Sequence, residues 1–213
     1  MGIPERKERE KEQRRNAIVD AAEKIFFTKG FQESTMDDIA NEAELSKGTL
    51  YLYFKSKEDL LFAVLIRGTV ILNEILERVI DPDITGRDNL LIMADAFIKF
   101  SKEHNDHFNL FMRFQSKDLL ALNINVDDVF AYLRDQSPLT ILGAVVMKGI
   151  SDGSLRNDIA PELLAATLWS QMLGILMVAY NKKDVYAAFG IDHEALAKVH
   201  LELVLNGIIP TNG

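Results

Sequence analysis

Apolar residues along this chain recur at three- and four-residue spacing almost from end to end, the period of helices with one buried face. After Asn16, the positions Ile18, Ala21, Ala22, Ile25 and Phe26 trace such a face, and Gly30 supplies a stop. Thr35 opens the next element: Thr35-Met36-Asp37-Asp38 is a capping-box pattern, with Ile39, Ala40 and Ala43 on the apolar side. Ser46 then caps a helix carrying Leu50 and Phe54 four residues apart. Ser56-Lys57-Glu58-Asp59 repeats the capping pattern ahead of Leu60, Leu61, Val64 and Leu65, in a longer helix running toward Val79 and ended by Asp81-Pro82-Asp83.

Five more helices are predicted, over residues 87–103, 106–120, 127–151, 161–181 and 192–207. The breaks between them hold Asn, Asp, Gly or Pro. Pro161 suits a first helical turn, and Pro138 is expected to kink or split the segment that contains it. No alternating run is long enough for a strand, and there is no internal repeat. The predicted fold class is all-α. Residues 1–57 form an N-terminal three-helix domain with a helix-turn-helix, and residues 58–213 form a larger helical bundle.

Composition changes this picture in one respect. The chain has 213 residues, 48% of them hydrophobic and 26% charged, which suits a folded protein rather than a disordered one. It contains no cysteine, which removes a disulfide framework, a zinc ribbon and a cysteine nucleophile and fits a reducing compartment. A net charge of −8 argues on its face against a nucleic-acid partner. The charge is unevenly spread, however. Residues 1–57 hold 11 Lys and Arg against 11 Asp and Glu, and residues 58–213 hold 13 against 21. The first part is also locally basic at both ends, with six bases against four acids in residues 5–15, then Lys47, Lys55 and Lys57 against Glu44 alone.

The densely charged N-terminus has no apolar core, so no secretory signal is expected. Leu163–Tyr180 runs 18 residues without a charge, but Thr167, Ser170, Gln171 and Gly174 interrupt it and its neighbours are amphipathic. The expectation is a helix buried in a core or interface, with no membrane partner.

The two short capped helices after Gly30 make a helix-turn-helix whose second member suits a major groove. Leu50 and Phe54 would hold it to its own domain. Lys47, Gly48, Thr49 and Tyr51 sit in its first turns, where side chains meet base edges. Lys47 can read guanine or hold a phosphate, and Thr49 can hydrogen-bond or touch a thymine methyl. Gly48 costs a helix about 1 kcal/mol, which makes sense where a bare backbone must approach the sugar-phosphate wall. Tyr53, Lys57 and the Thr35 hydroxyl lie where phosphate contacts would fix register.

Ile18-Ala21-Ala22 with Phe26, Lys29-Gly30-Phe31, Thr35 through Ile39-Ala40, and the string Ser46-Lys47-Gly48-Thr49-Leu50-Tyr51-Leu52-Tyr53-Phe54-Lys55-Ser56-Lys57-Glu58-Asp59-Leu60 closely resemble the DNA-binding domain of the tetracycline-repressor (TetR) family. The resemblance covers roughly residues 12–62. It implies a homodimeric transcription regulator, usually a repressor, cytoplasmic in a bacterium or archaeon and nucleoid-associated when bound to a palindromic double-stranded DNA operator. It implies DNA contacts at Thr35, Lys47, Gly48, Thr49, Tyr51, Tyr53 and Lys57, no cofactor, and a small-molecule inducer held by the C-terminal domain. One departure is Glu44, where many members have Gly before the recognition helix. A left-handed Glu44 would be strained by about 1 kcal/mol, so a slightly different turn is expected. The charged arm from Glu5 to Arg15 has two readings: an extension of the first helix that brings Arg14 or Arg15 to phosphate or minor groove, or a frayed, solvated helix end.

In the C-terminal part, Leu164, Leu168, Trp169, Met172, Leu173, Ile175 and Leu176 make one helix apolar around most of its circumference. The last helix, with Leu196, Val199, Leu203 and Val204, is amphipathic enough to partner it, and two such pairs would make a four-helix dimer interface. The aromatic cluster of Phe97, Phe100, Phe108, Phe111, Met112 and Phe114, closed by Trp169 and Met172, is either plain core or a chamber for a hydrophobic inducer.

Two catalytic patterns compete. Gly149-Ile150-Ser151-Asp152-Gly153 has nucleophile-elbow spacing, with Asp158 or Asp184 and His193 or His200 following in hydrolase order, but that chemistry needs a strand before the serine and the expectation is a helix end. His104 and His107 stand three apart beside Glu103 and Asp106; solvated histidines are expected there rather than a metal site. The alternative to a ligand-responsive regulator is a helical-bundle enzyme or lipid carrier that uses the aromatic cavity.

Overall fold

The computed structural model describes residues 3–113, 129, 132 and 134–210. Among them there is no strand. The helices are α1 (Ile3–Lys29), α2 (Met36–Glu42), α3 (Lys47–Tyr53), α4 (Lys57–Val79), α5 (Gly86–Glu103), α6 (Asn105–Arg113), α7 (Pro138–Ser151), α8 (Pro161–Asn181), α9 (Lys183–Ala188) and α10 (His193–Gly207). The chain divides into two compact units, residues 1–68 with 113–131 and residues 69–112 with 132–213.

In the first unit the charged arm is helical, because α1 begins at Ile3. Its inner face is the one the spacing predicts: Ile18 and Ala22 have no exposed surface, and neither do Ile39, Leu50, Leu60 and Val64 from the following helices. Burying each of the larger side chains contributes about 1.5–3 kcal/mol. The unit reaches Gly68, past the composition break at Lys57, because the first half of α4 is buried in it. Arg67 ties that half to α1 by ion pairs to Asp20 (2.7 Å) and Glu23 (3.0 Å).

In the second unit α5 packs on α7, α7 on α8, α8 on α10 and α10 back on α5, which closes a bundle. Phe97, Phe100, Phe108, Val146, Leu155, Leu164 and Leu176 are among its buried residues. Pro138 does not sit within a helix. It occupies the first turn of α7, where a missing N–H costs nothing, and so it splits the predicted segment. Pro161 opens α8 in the same way. The predicted 106–120 helix is seen as far as Arg113; residues 114–128 lie outside the described part. The six-residue α9 was not foreseen.

The nucleophile-elbow spacing has a packing origin. A Cβ on Gly86 would fall on the backbone of Gly149, and a Cβ on Gly149 would come within 2.5 Å of Leu155 Cδ1. Gly149 is therefore the point where α7 meets the start of α5. Ser151 is the exposed last residue of α7, and the Asp152 carboxylate beyond it accepts from the Gly86 N–H at 2.8 Å. Hydrogen bonds from Ser154 and Gly86 hold that carboxyl below its ordinary pKa. This is a helix end, with no strand before the serine.

By length and composition α8 could cross a membrane; here it packs on α5, α7, α9 and α10. His104 stacks on Phe100, and His107 is buried with its ring 6.5 Å from that of His104. Among the described residues no group of three or more His, Asp or Glu side chains gathers as a metal site would require.

Candidate nucleic-acid interface and ligand chamber

The helix-turn-helix is built from its caps inward. Thr35 accepts the Asp38 N–H at 3.1 Å, and the Asp38 carboxylate takes back the Thr35 N–H (2.8 Å) and hydroxyl (2.7 Å), completing the capping box. Lys29 also binds that carboxylate at 2.7 Å. Together these partners, Lys29 first, lower the Asp38 pKa to about 2. The Thr35 hydroxyl hydrogen is thus committed to the cap and not free for a phosphate.

The turn after α2 is a Schellman motif: the Leu45 N–H reaches the Ala40 carbonyl and the Glu44 N–H reaches that of Asn41. The motif places Glu44 at φ 55°, in the left-handed region where glycine is usual. The expected change of turn does not occur. The standard turn is kept, and Glu44 carries the strain.

Ser46 caps α3 by accepting the Thr49 N–H at 3.1 Å, and its Oγ lies 2.8 Å from the Thr49 hydroxyl. Buried Leu50 and Phe54 anchor the inner side of α3. Outward stand Lys47, Gly48 and Tyr51, with Thr49 and Tyr53 half-buried beside them. A Cβ on Gly48 would meet nothing nearer than the Ser46 Oγ at 3.9 Å, so no packing inside the protein calls for glycine there. Lys47 pairs with Asp37 at 2.8 Å, which raises its pKa and keeps the ammonium charged. Leu52, given no role by the sequence, is 75% exposed on the same short helix.

Two predicted contacts land elsewhere. The Lys57 ammonium turns inward, donating to the carbonyls of Phe31 (2.7 Å), Ser34 (2.8 Å) and Gln32 (3.4 Å) over the Phe31 ring. It braces the α1–α2 loop instead of facing a phosphate. Arg15 lies over the Phe54 ring, 4.9 Å from its centroid, so in the free protein it supports the back of α3.

The second unit encloses an apolar chamber of about 70 Å³. Of the residues proposed for a ligand pocket, Phe97, Trp169 and Met172 are among those lining it. Phe100 is buried core stacked on His104, while Phe111 and Met112 are half-buried outside the lining, Phe111 meeting Trp169 edge-on at 6.1 Å. Phe114 lies outside the described residues. The remaining wall is aliphatic and comes partly from α10, through Leu201, Val204 and Leu205. Among the described lining residues His200 is the one ionisable group. The α10 contribution was missed because periodicity marks an apolar face without saying which neighbour it meets.

A helix-turn-helix with an exposed second helix, joined in one chain to an all-helical unit with an apolar chamber, defines a DNA-binding regulator of transcription. Residues 18–64 match the model described as bacterial regulatory proteins, tetR family. The chain is 24% identical over 192 residues to the fatty acid metabolism regulator protein of Bacillus subtilis, covering 90% of this chain and 93% of the relative. It is 28% identical over 201 residues to the transcriptional repressor KstR2 of Rhodococcus jostii, covering 92% and 91%. Among solved structures, the SmeT–triclosan complex shares the fold at TM-score 0.67 and 23% identity, over 94% of this chain and 93% of that one. These relatives are regulators and not enzymes, which sets aside the enzyme alternative.

Proposed function

We propose that the protein is a ligand-responsive repressor, cytoplasmic and homodimeric, whose two α3 helices enter successive major grooves of a palindromic operator. The observation that carries this reading is the outer face of α3, where Lys47, Gly48 and Tyr51 stand exposed and the glycine answers to no internal neighbour. Tyr53 and Thr49 flank that face, and Thr35 and Lys57 position it.

Dimerisation is supported by apolar surface on the last long helices. Leu163 of α8 is 62% exposed and Leu203 of α10 is 68% exposed, with Met177 and Val199 also uncovered. Such a patch calls for a partner, and a second copy offers the same patch.

The chamber supports a hydrophobic inducer. At about 70 Å³ it is far below the ~300 Å³ at which drug-sized sites begin, so the inducer would have to part the α8 and α10 side chains that close it. Moving those helices acts on the dimer surface they carry, favouring a state whose recognition helices no longer match grooves about 34 Å apart. That KstR2 is named a repressor and that the Bacillus subtilis relative is named for fatty acid metabolism agree with repression and with an apolar ligand.

The test is binding to DNA from the protein's own promoter region by the Lys47→Ala, Tyr53→Ala double variant. The expected result is a loss of at least tenfold with a shallower salt dependence. Undiminished, salt-insensitive binding overturns the reading.

A further inference from the structure

The arm that precedes the core of the first unit is a helix whose charges are sorted by face. α1 runs unbroken from Ile3, yet residues 5–17 are exposed and burial begins at Ile18. Traced back from Ile18 along its own face, the positions are Arg14, Lys11 and Lys7, at spacings of four, three and four. The row that packs the core therefore continues as a basic row where the core ends. Glu5, Glu8 and Glu12 share a different face at the same kind of spacing. The ion pairs that border the basic row, Lys11 to Glu8 at 3.6 Å and Arg6 to Glu10 at 2.7 Å, join exposed side chains, where water and salt keep such pairs weak. A solvated helix needs no such sorting, since charges scattered around it would keep it equally soluble.

The basic row starts beside α3. Arg15, next to Arg14, lies 4.9 Å over the ring of Phe54, the residue that ends α3. The seven residues of α3 span about 10 Å, and a major groove about 12 Å wide has a sugar-phosphate wall on either side. From Lys7 to Arg14 the arm rises about 10 Å, a length over which a duplex presents about six phosphate charges, counting both strands.

We infer, on the reading that α3 enters a major groove, that the arm is a second DNA contact: the Lys7–Lys11–Arg14 row lies against the phosphate backbone beside that groove. The row sits on the face that the core defines, and Arg15 on Phe54 fixes where it leaves α3. Its contacts are to phosphates and carry no sequence information, so the arm adds affinity and not selectivity.

The test compares two variants of the full-length protein that lose the same charge from different faces: Lys11→Gln with Arg14→Gln on the row, and Arg6→Gln with Arg9→Gln off it. Glutamine keeps the arm helical. Binding is measured against salt on a duplex from the protein's own promoter region and on an unrelated duplex of the same length. The row variant is expected to bind both duplexes at least tenfold more weakly, with a salt slope shallower by about 1.8. The off-row variant is expected to stay within about threefold of the wild type. The charge-keeping exchange Lys11→Arg with Arg14→Lys is expected to bind like the wild type, which separates lost charge from a disturbed helix. Equal losses in the row and off-row variants overturn the inference, as does an unchanged row variant or a loss confined to the promoter duplex. Those failures leave the wild type selecting promoter DNA; a wild type that shows no such selection contradicts the DNA-binding reading itself.

Discussion

Glu44 shows how much one residue can be asked to tolerate for a turn. The Schellman hydrogen bonds between α2 and α3 require φ near +55° there, and a side chain in that region costs about 1–2 kcal/mol. Replacing it with glycine removes this strain but adds about 0.5–1 kcal/mol of unfolded-chain freedom. Glu44→Gly is therefore expected to raise stability by about 0.5 kcal/mol, with urea unfolding as the measurement; a loss of stability would mean that the Glu44 side chain contributes something beyond the turn. Residue roles in this turn were legible because capping chemistry is local: Thr35 and Ser46 act within three residues of themselves. Lys57 was not legible. Its partners Phe31, Gln32 and Ser34 lie 23 to 26 positions back, and a lysine beside a recognition helix reads as a phosphate contact until the fold turns it inward.

At the scale of elements, helix starts were read from Ser, Thr and Pro, and Pro161 opens α8 at the predicted position. What stayed hidden was which helix meets which. The Gly149 spacing fits a nucleophile elbow on paper, yet the glycine marks the α5–α7 crossing, where the partner atom belongs to Gly86, 63 positions away. Gly149→Val is expected to lower stability by at least about 2 kcal/mol through overpacking, as the shift of a denaturant midpoint would record. A change under half that size would show that the crossing has room to relax. The same blindness to partners made the aromatic cluster look like the chamber wall, when much of that wall is aliphatic and comes from α10. Sequence order places Phe97, Phe100 and Phe111 together; only the bundle sends Phe97 to the cavity and Phe100 into the core.

At the scale of the whole molecule, the acidic average of the chain concealed a neutral N-terminal unit whose exposed helix carries a free outer face, and an acidic remainder with no need to touch phosphate. The proposed two-fold operator would require a two-fold protein, so the exposed surface of α8 and α10 would have a consequence for binding. Leu203→Asp, a charge placed in that patch, is expected to shift sedimentation toward the monomer and to weaken operator binding at least tenfold, while leaving helical content unchanged. A variant that stays dimeric would place the interface elsewhere.

The claim that the outer face of α3 meets DNA rests most heavily on Gly48, a helix-weakening residue with no internal reason to be there. The most direct test measures stability and operator affinity together in Gly48→Ala. If the backbone at Gly48 approaches DNA, stability rises by about 1 kcal/mol and operator affinity falls at least tenfold. A variant that gains the stability and binds its operator as well as the wild type would contradict the account.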